Sequence, residues 1–310
     1  MSRIRRVSIA SCLVLALPWA VRAEEGTGAA SERAIALSGA RGLTGFMDMV
    51  DARTPGLLSI RFGTRYIVSV RDRNLEGGQA GVNQREERHA LFTSGGVSLF
   101  SLLDVGARIP YLFESEDWNV KGQADLPDDG SDHGWGDFDL AAKISLPLGW
   151  FTVAPFATGR FPIGEPQVRD LAQLDYGASA TLTLFSQYLS FHGNLYGIQR
   201  ETGLSAFGYR LGLAGVPLAT DLLLLRVYSY VDGLEYEGQA GSDLDLVFGV
   251  QAIVIESITA EVGVGVRLID GGHTDDQLRR AIRNNSAVSG TRQFQDDGSW
   301  TFQLAVGTAF

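Results

Sequence analysis

Charged side chains recur at every second position along several stretches of this chain. The basic set is Arg61, Arg65, Arg71, Arg108, Lys143, Arg160, Arg210, Arg226 and Arg267. The acidic set is Asp137, Asp139, Asp175, Asp243, Asp245 and Glu261. The opposite parity in the same stretches is mostly apolar, and in an extended chain alternate side chains share a face. Two chemistries fit bases and acids gathered on one face. One is a charged constriction that selects solutes. The other is an internal net of ion pairs that only fills space. Arg61, Arg65 and Arg108 come from early, neighbouring stretches and form the strongest candidate for a basic patch. The expected solute pathway is Arg61, Arg65 and Arg108 with Asp137, Asp139, Lys143 and Arg160, continued by Arg210, Asp243, Asp245, Glu261 and Arg267.

Nucleophilic chemistry has one candidate set. Ser190, His192 and Asn194 share the same charged-side parity. Along a strand, however, side chains at i and i+2 stand ~7 Å apart, beyond a direct Ser–His hydrogen bond. Polar lining is therefore expected of them, and a membrane-embedded hydrolase is the minor alternative. The stretch Asp125–His133 is rich in carboxylates that suit Ca²⁺, but its spacing is not that of an EF-hand loop. A solvated acidic loop is expected there. His89 and His273 have no ligand spacing to each other. No metal, no cofactor and no enzyme activity is expected.

The elements that would position these residues are strands. Period-two alternation runs through 58–70, 91–99, 105–113, 138–146, 150–161 and 174–186, then 188–199, 205–215, 221–231, 243–254, 258–269 and 299–310. Each is near the ~9–11 residues of a tilted membrane-spanning strand. The connections alternate in length. Short ones fall at Ser101–Asp104, Pro147–Gly149, Ser186–Gln187, Val216–Asp221 and Ile255–Ser257. Longer, polar, acid-rich ones fall at 72–88, 115–134, 162–173, 200–204, 233–242 and 270–298. In the last of these, Thr274–Gln277 has capping-box spacing and predicts one or two helical turns ending near Asn284.

The N-terminus reads as an export signal over residues 1–23. Arg3, Arg5 and Arg6 precede an apolar run from Val7 to Val21, and Val21-Arg22-Ala23 offers a small-residue cleavage site. The Ile9–Cys12 stretch resembles a lipid-attachment box, but almost no apolar segment precedes it. Without Arg3, Arg5, Arg6 and Arg22, the 26 basic side chains become 22 against 36 acidic ones, a balance of −14. That acidity argues against a nucleic-acid partner. Cys12 is the single cysteine, so a mature chain would have no disulfide. Residues 24–54 form an expected periplasmic extension and candidate plug. Its later part, Gly39–Met49, is apolar enough to pack under the barrel or into its mouth.

An even number of strands, with short turns at one end and long loops at the other, predicts an all-β fold. The expected form is a 12-stranded antiparallel transmembrane β-barrel spanning 55–310. A secreted sandwich also alternates, but its second face would not carry so much Gly, Ser, Thr and charge. The final run places Trp300, Phe302, Leu304, Val306 and Phe310 on one face. It resembles the C-terminal signature of Gram-negative outer-membrane proteins, which implies recognition by the barrel-insertion machinery.

A second resemblance lies in Gly134-Trp135-Gly136-Asp137-Phe138-Asp139-Leu140-Ala141-Ala142-Lys143. This segment looks like the G-x-G-D-x-x-L-x-x-K stretch of outer-membrane barrels grouped with the meta-pathway of phenol degradation. Ile109-Pro110-Tyr111 and Phe161-Pro162-Ile163-Gly164-Glu165 fall where that family shows V-P-Y and L-P-T-G-D, with Ile163 and Glu165 departing from it. The resemblance implies a Gram-negative outer-membrane channel for small solutes, hydrophobic or aromatic ones among them. The expected partners are outer-membrane lipid and lipopolysaccharide, the insertion machinery and a small solute. A non-transporting structural or adhesive barrel, acting through its loops, is the alternative.

Overall fold

The computed structural model describes residues 43, 45–46, 49–55, 58–76, 82–120, 130–168, 172–185, 188–201, 205–220, 222–236, 242–254, 258–269, 293–296 and 299–310. Twelve strands form one closed wall. They are β1 (Leu58–Glu76), β2 (Val82–Leu99), β3 (Leu103–Val120), β4 (Phe138–Ile144), β5 (Phe151–Phe161) and β6 (Gln173–Leu184). The wall continues with β7 (Leu189–Arg200), β8 (Ser205–Ala219), β9 (Leu223–Tyr236), β10 (Ser242–Val254), β11 (Ile258–Ile269) and β12 (Trp300–Ala309). Each pairs antiparallel with the next in sequence, and β12 returns to β1. The seam runs to the last residue: Ile60 and Phe310 exchange two backbone hydrogen bonds of 2.9 Å. Closure leaves no unpaired edge, which hydrocarbon would penalise by several kcal/mol per group.

Burial along the strands is inverted relative to a water-soluble protein. Outward positions are apolar and open, with Leu195 at 55%, Leu211 at 57% and Val306 at 51% exposure. Inward positions are polar and closed, with Ser179, Asn194 and Gln251 at 0%. A sandwich would bury the first set and wet the second. The observed arrangement suits lipid outside and a filled, hydrogen-bonded lumen inside. Aromatic side chains mark both rims. Phe100, Trp150, Phe185 and Phe310 stand exposed at the short-turn end, and Tyr111, Trp135, Phe161, Tyr176 and Phe207 at the other.

The glycines have a packing reason. Tyr176, Tyr196, Tyr209, Tyr228 and Tyr230 lie directly opposite Gly197, Gly208, Gly233, Gly249 and Gly212 on neighbouring strands. At Gly208, Gly233 and Gly249 an added Cβ would come within 2.2 Å of the facing ring. The rings lie flat in the space that the missing side chains leave, which covers glycine backbone and fixes register.

The long-loop end differs from the sequence reading. Of the expected loops 72–88 and 115–134, much is strand. β1 runs on to Glu76, β2 begins at Val82, β3 continues to Val120, and Gly130–Trp135 pairs with Tyr111–Glu116. Gln293–Asp296 pairs with Arg73–Glu76, inside the stretch expected to be loop. Beyond the hydrocarbon both faces of a hairpin are wet. A segment such as Arg71-Asp72-Arg73-Asn74 therefore shows no apolar alternation although its backbone ladder continues. The turns expected at 274–285, the acidic residues 125–129 and the export segment 1–23 lie outside the described residues.

Candidate functional site

The lumen is built from inward residues of all twelve strands together with residues 43, 45–46 and 49–55. The latter are held mostly by side chains of the wall. Asn194 on β7 treats Val50 as a neighbouring strand would: it accepts the Val50 N–H at 2.9 Å and donates to the Val50 carbonyl at 2.8 Å. Ser179 on β6 donates to the same carbonyl at 2.6 Å. The Lys143 ammonium on β4 donates to the carbonyls of Asp51 and Arg53, and Ser145 donates to that of Ala52. Apolar anchors grip opposite walls. Leu43 and Val50 pack with Ala141, Phe156, Tyr196 and Ile198, while Met49 packs with Ala214, Tyr228, Tyr230 and Val247. The short strands Gly45–Phe46 and Met49–Val50 pair with each other, so the segment is a small hairpin across the bore.

Beneath this hairpin lies a hydrogen-bonded chain that the spacing argument excluded. Ser190 Oγ is 2.7 Å from His192 Nε2. The ~7 Å separation of i and i+2 side chains is a backbone measure, and the imidazole leans along the strand far enough to close it. Thr181 fixes the tautomer. Its hydroxyl donates to Asp51 Oδ1 at 3.1 Å and accepts from the Ala52 N–H at 3.1 Å. His192 Nδ1, 3.1 Å from the same oxygen, must therefore be the protonated nitrogen, and Nε2 accepts from Ser190. Serine, base and carboxylate are linked through one threonine. Ser190 is only 4% exposed with the plug in place.

The predicted charges fall into separate clusters. At the short-turn end Arg61 binds Ser98 and Asp104, and Lys143 lies 3.6 Å from Asp104. At mid-depth Arg65 meets Glu261 at 3.2 Å and Gln303 at 3.0 Å. Glu261 also accepts from Tyr228 at 3.1 Å, from Gln303 at 2.7 Å and from Gln251. Arg226 reaches Gln251 at 3.4 Å. Toward the long loops Asp139 takes both Arg108 at 2.6 Å and Arg160 at 3.1 Å. Across the bore Arg210 binds Asp232 at 2.8 Å, and Arg267 binds Asp245 at 2.9 Å with Asp243 at 3.7 Å. Asp175 accepts from Gln173 at 2.7 Å, and Arg71 lines the upper chamber described below. Arg61, Arg65 and Arg108 are thus not one basic patch, because each has its own carboxylate.

Several partners were not legible in the sequence. Asp104 and Asp232 are strand residues just outside the alternating stretches 105–113 and 221–231, and Asp51 belongs to the extension, so none joined the alternating pattern. Gln251 and Gln303 keep the inward parity but carry no charge. The available signal was their parity alone.

Above this net the lumen opens into two adjoining chambers of about 240 and 250 Å³, which share Ser69, Arg88 and Thr301 on their walls. One is partly apolar, lined by Ile67, Ala90, Phe92, Pro110 and Leu112 opposite Arg160. Arg108 lies over the Phe92 ring at 4.6 Å. The Gly134–Lys143 motif shapes the rim beside it. Gly136 N–H donates to the Pro110 carbonyl at 2.8 Å, bending the chain so that Asp137 accepts the Gly164 N–H at 2.9 Å. Glu165 takes the Trp135 N–H at 3.0 Å, and this backbone bond, with one from Gln167, holds its carboxyl below the usual range. Among the described residues no cluster of His, Cys, Asp and Glu is arranged to hold a metal ion.

Fold and lumen together define a class: a 12-stranded antiparallel transmembrane β-barrel. The chain is similar to the COG4313 outer membrane channel from Pseudomonas putida F1. The TM-score is 0.56 and the identity 12%, over 85% of this chain and all of that one. Weaker likenesses are to the NanC porin, with a TM-score of 0.40 at 11% identity over 81% of this chain and 98% of that one. A Pseudomonas aeruginosa FadL homologue gives 0.37 at 9% identity, over 85% and 91%. No family model matches the chain, and no curated protein does.

Proposed function

We propose that this chain is a Gram-negative outer-membrane channel for small solutes, held shut by its own residues 43–55. One observation supports the reading most: the obstruction is joined to the wall by side-chain hydrogen bonds, which can exchange for water, and by only two small apolar anchors. Solutes would pass the Arg108–Asp139–Arg160 and Arg267–Asp245 pairs by diffusion, without chemistry. The likeness to the Pseudomonas putida channel and the two chambers agree with it. Residues 1–23 would be the export signal, Trp300–Phe310 the segment read by the insertion machinery, and lipopolysaccharide the outer lipid neighbour.

The second reading, a structural or adhesive barrel, is favoured by the ion pairs that tie adjacent and next-nearest strands along the lumen wall at three depths. Single-channel recording in planar bilayers separates the two. The full chain should show rare, brief openings. Deletion of residues 24–54, or Asn194→Ala with two plug bonds lost, should raise the open fraction tenfold or more, since each ~1.4 kcal/mol is a factor of ten. No current from any of the three at any potential would leave only the structural barrel.

A further inference from the structure

We infer that the segment after β5, residues 162–168, is an extracellular lid that closes the lumen a second time, by seating Val168 on the wall. This rests on the channel reading and adds control of entry from outside. Val168 is 6% exposed and packs with Ala90 and Leu112, with Ile67 and Phe92 at the margin. All four wall residues have inward parity on β1, β2 and β3. They form an apolar strip on the lumen wall, and Val168 covers it beside the chamber of about 250 Å³.

The lid has no place in the strand ladder. It is fastened by a latch to the Gly134–Asp137 bend. Gly164 donates to Asp137, Glu165 N–H donates to the Trp135 carbonyl at 2.8 Å, and Gln167 donates to the His133 carbonyl at 3.0 Å. The fit at Gly164 is tight. A Cβ there would lie 2.7 Å from the Gly136 carbonyl carbon and 2.9 Å from both the Trp135 oxygen and Asp137 Oδ1. Backbone cannot yield as a flexible side chain would, so a methyl group at 164 must lift the segment. Ile163 beside it is 68% exposed, so the lid buries one apolar side chain and leaves the next outside. Such a contact is small enough to break without unfolding the wall.

The test is thiol accessibility in the full chain with Cys12→Ser and Ala90→Cys, in lipid vesicles, using a membrane-impermeant maleimide added from the loop side. With the native lid, labelling should be slow. Adding Gly164→Ala should speed it at least tenfold. The milder pair Glu165→Ala with Gln167→Ala, exposed residues of the latch alone, should speed it severalfold should Gly164→Ala fail to assemble. Equal labelling rates with and without the latch overturn the lid. The readout needs no current. Faster labelling with no conductance in any variant would keep the lid and remove the channel. Conductance with unchanged labelling would do the reverse.

Discussion

At the scale of single residues, the lumen shows how much a side chain's reach can alter a spacing argument. Ser190 and His192 are held at hydrogen-bond distance, with Thr181 and Asp51 completing the chain. What this set lacks is access, since His192 is 3% exposed and the plug segment lies against it. Through Thr181 it is hydrogen-bonded to Ala52 and Asp51. Ser190→Ala should therefore cost about 1–2 kcal/mol of stability, because His192 Nε2 loses its donor. It should leave hydrolysis of a short-chain nitrophenyl ester at the background rate of the unaltered chain. A rate above background in the unaltered chain, lost in Ser190→Ala, would restore the hydrolase.

At the scale of elements, the strands are specified twice. Alternation decides which face meets lipid, because a slip by one residue would turn every polar side chain outward. The tyrosine–glycine pairs then select one register among those that alternation allows. Tyr228 opposite Gly249 sits at the meeting of β9 and β10, and its hydroxyl reaches Glu261 on β11. Gly249→Val should displace that ring, break the Glu261 bond and lower the temperature at which the barrel unfolds on gel electrophoresis. Gly95→Ala, whose Cβ would meet nothing closer than 3.5 Å, should be nearly neutral by the same measurement. The turn at Phe100 and Ser101 shows a different balance. Both have left-handed φ of 56° and 55° with no glycine, and the exposed Phe100 ring stands at the short-turn rim, where interfacial lipid suits an aromatic.

At the scale of the whole molecule, two solvents set the design. Outward apolar side chains need hydrocarbon. Inward charges deep in the lumen, such as Arg61 and Asp104, are cut off from bulk water and need each other. Removing one partner of a buried pair leaves the other uncompensated, at a cost of about 3–5 kcal/mol. Leu211 points to lipid from the middle of β8, whereas Arg210 beside it points inward to Asp232. Leu211→Arg should cost about 2–4 kcal/mol in a bilayer, the value for a base near the midplane. Urea unfolding from lipid vesicles measures it. A cost near zero there would mean that hydrocarbon does not surround this face.

Composition and alternation alone determined the number of strands and their facing. These follow from the period of an extended chain and the medium on each side, both of which are local. Alternation placed Arg65, Glu261, Arg108 and Asp139 inward but could not say which would pair, since partners come from strands far apart in sequence. It could not see that Asp51 and Asp104 complete the net, that Asn194 holds Val50, or that Val168 turns back onto Ala90 and Leu112. Those contacts exist only once the wall closes. Closure brings β12 back to β1 and wraps the bore around residues 49–55, and no stretch of sequence contains that enclosure.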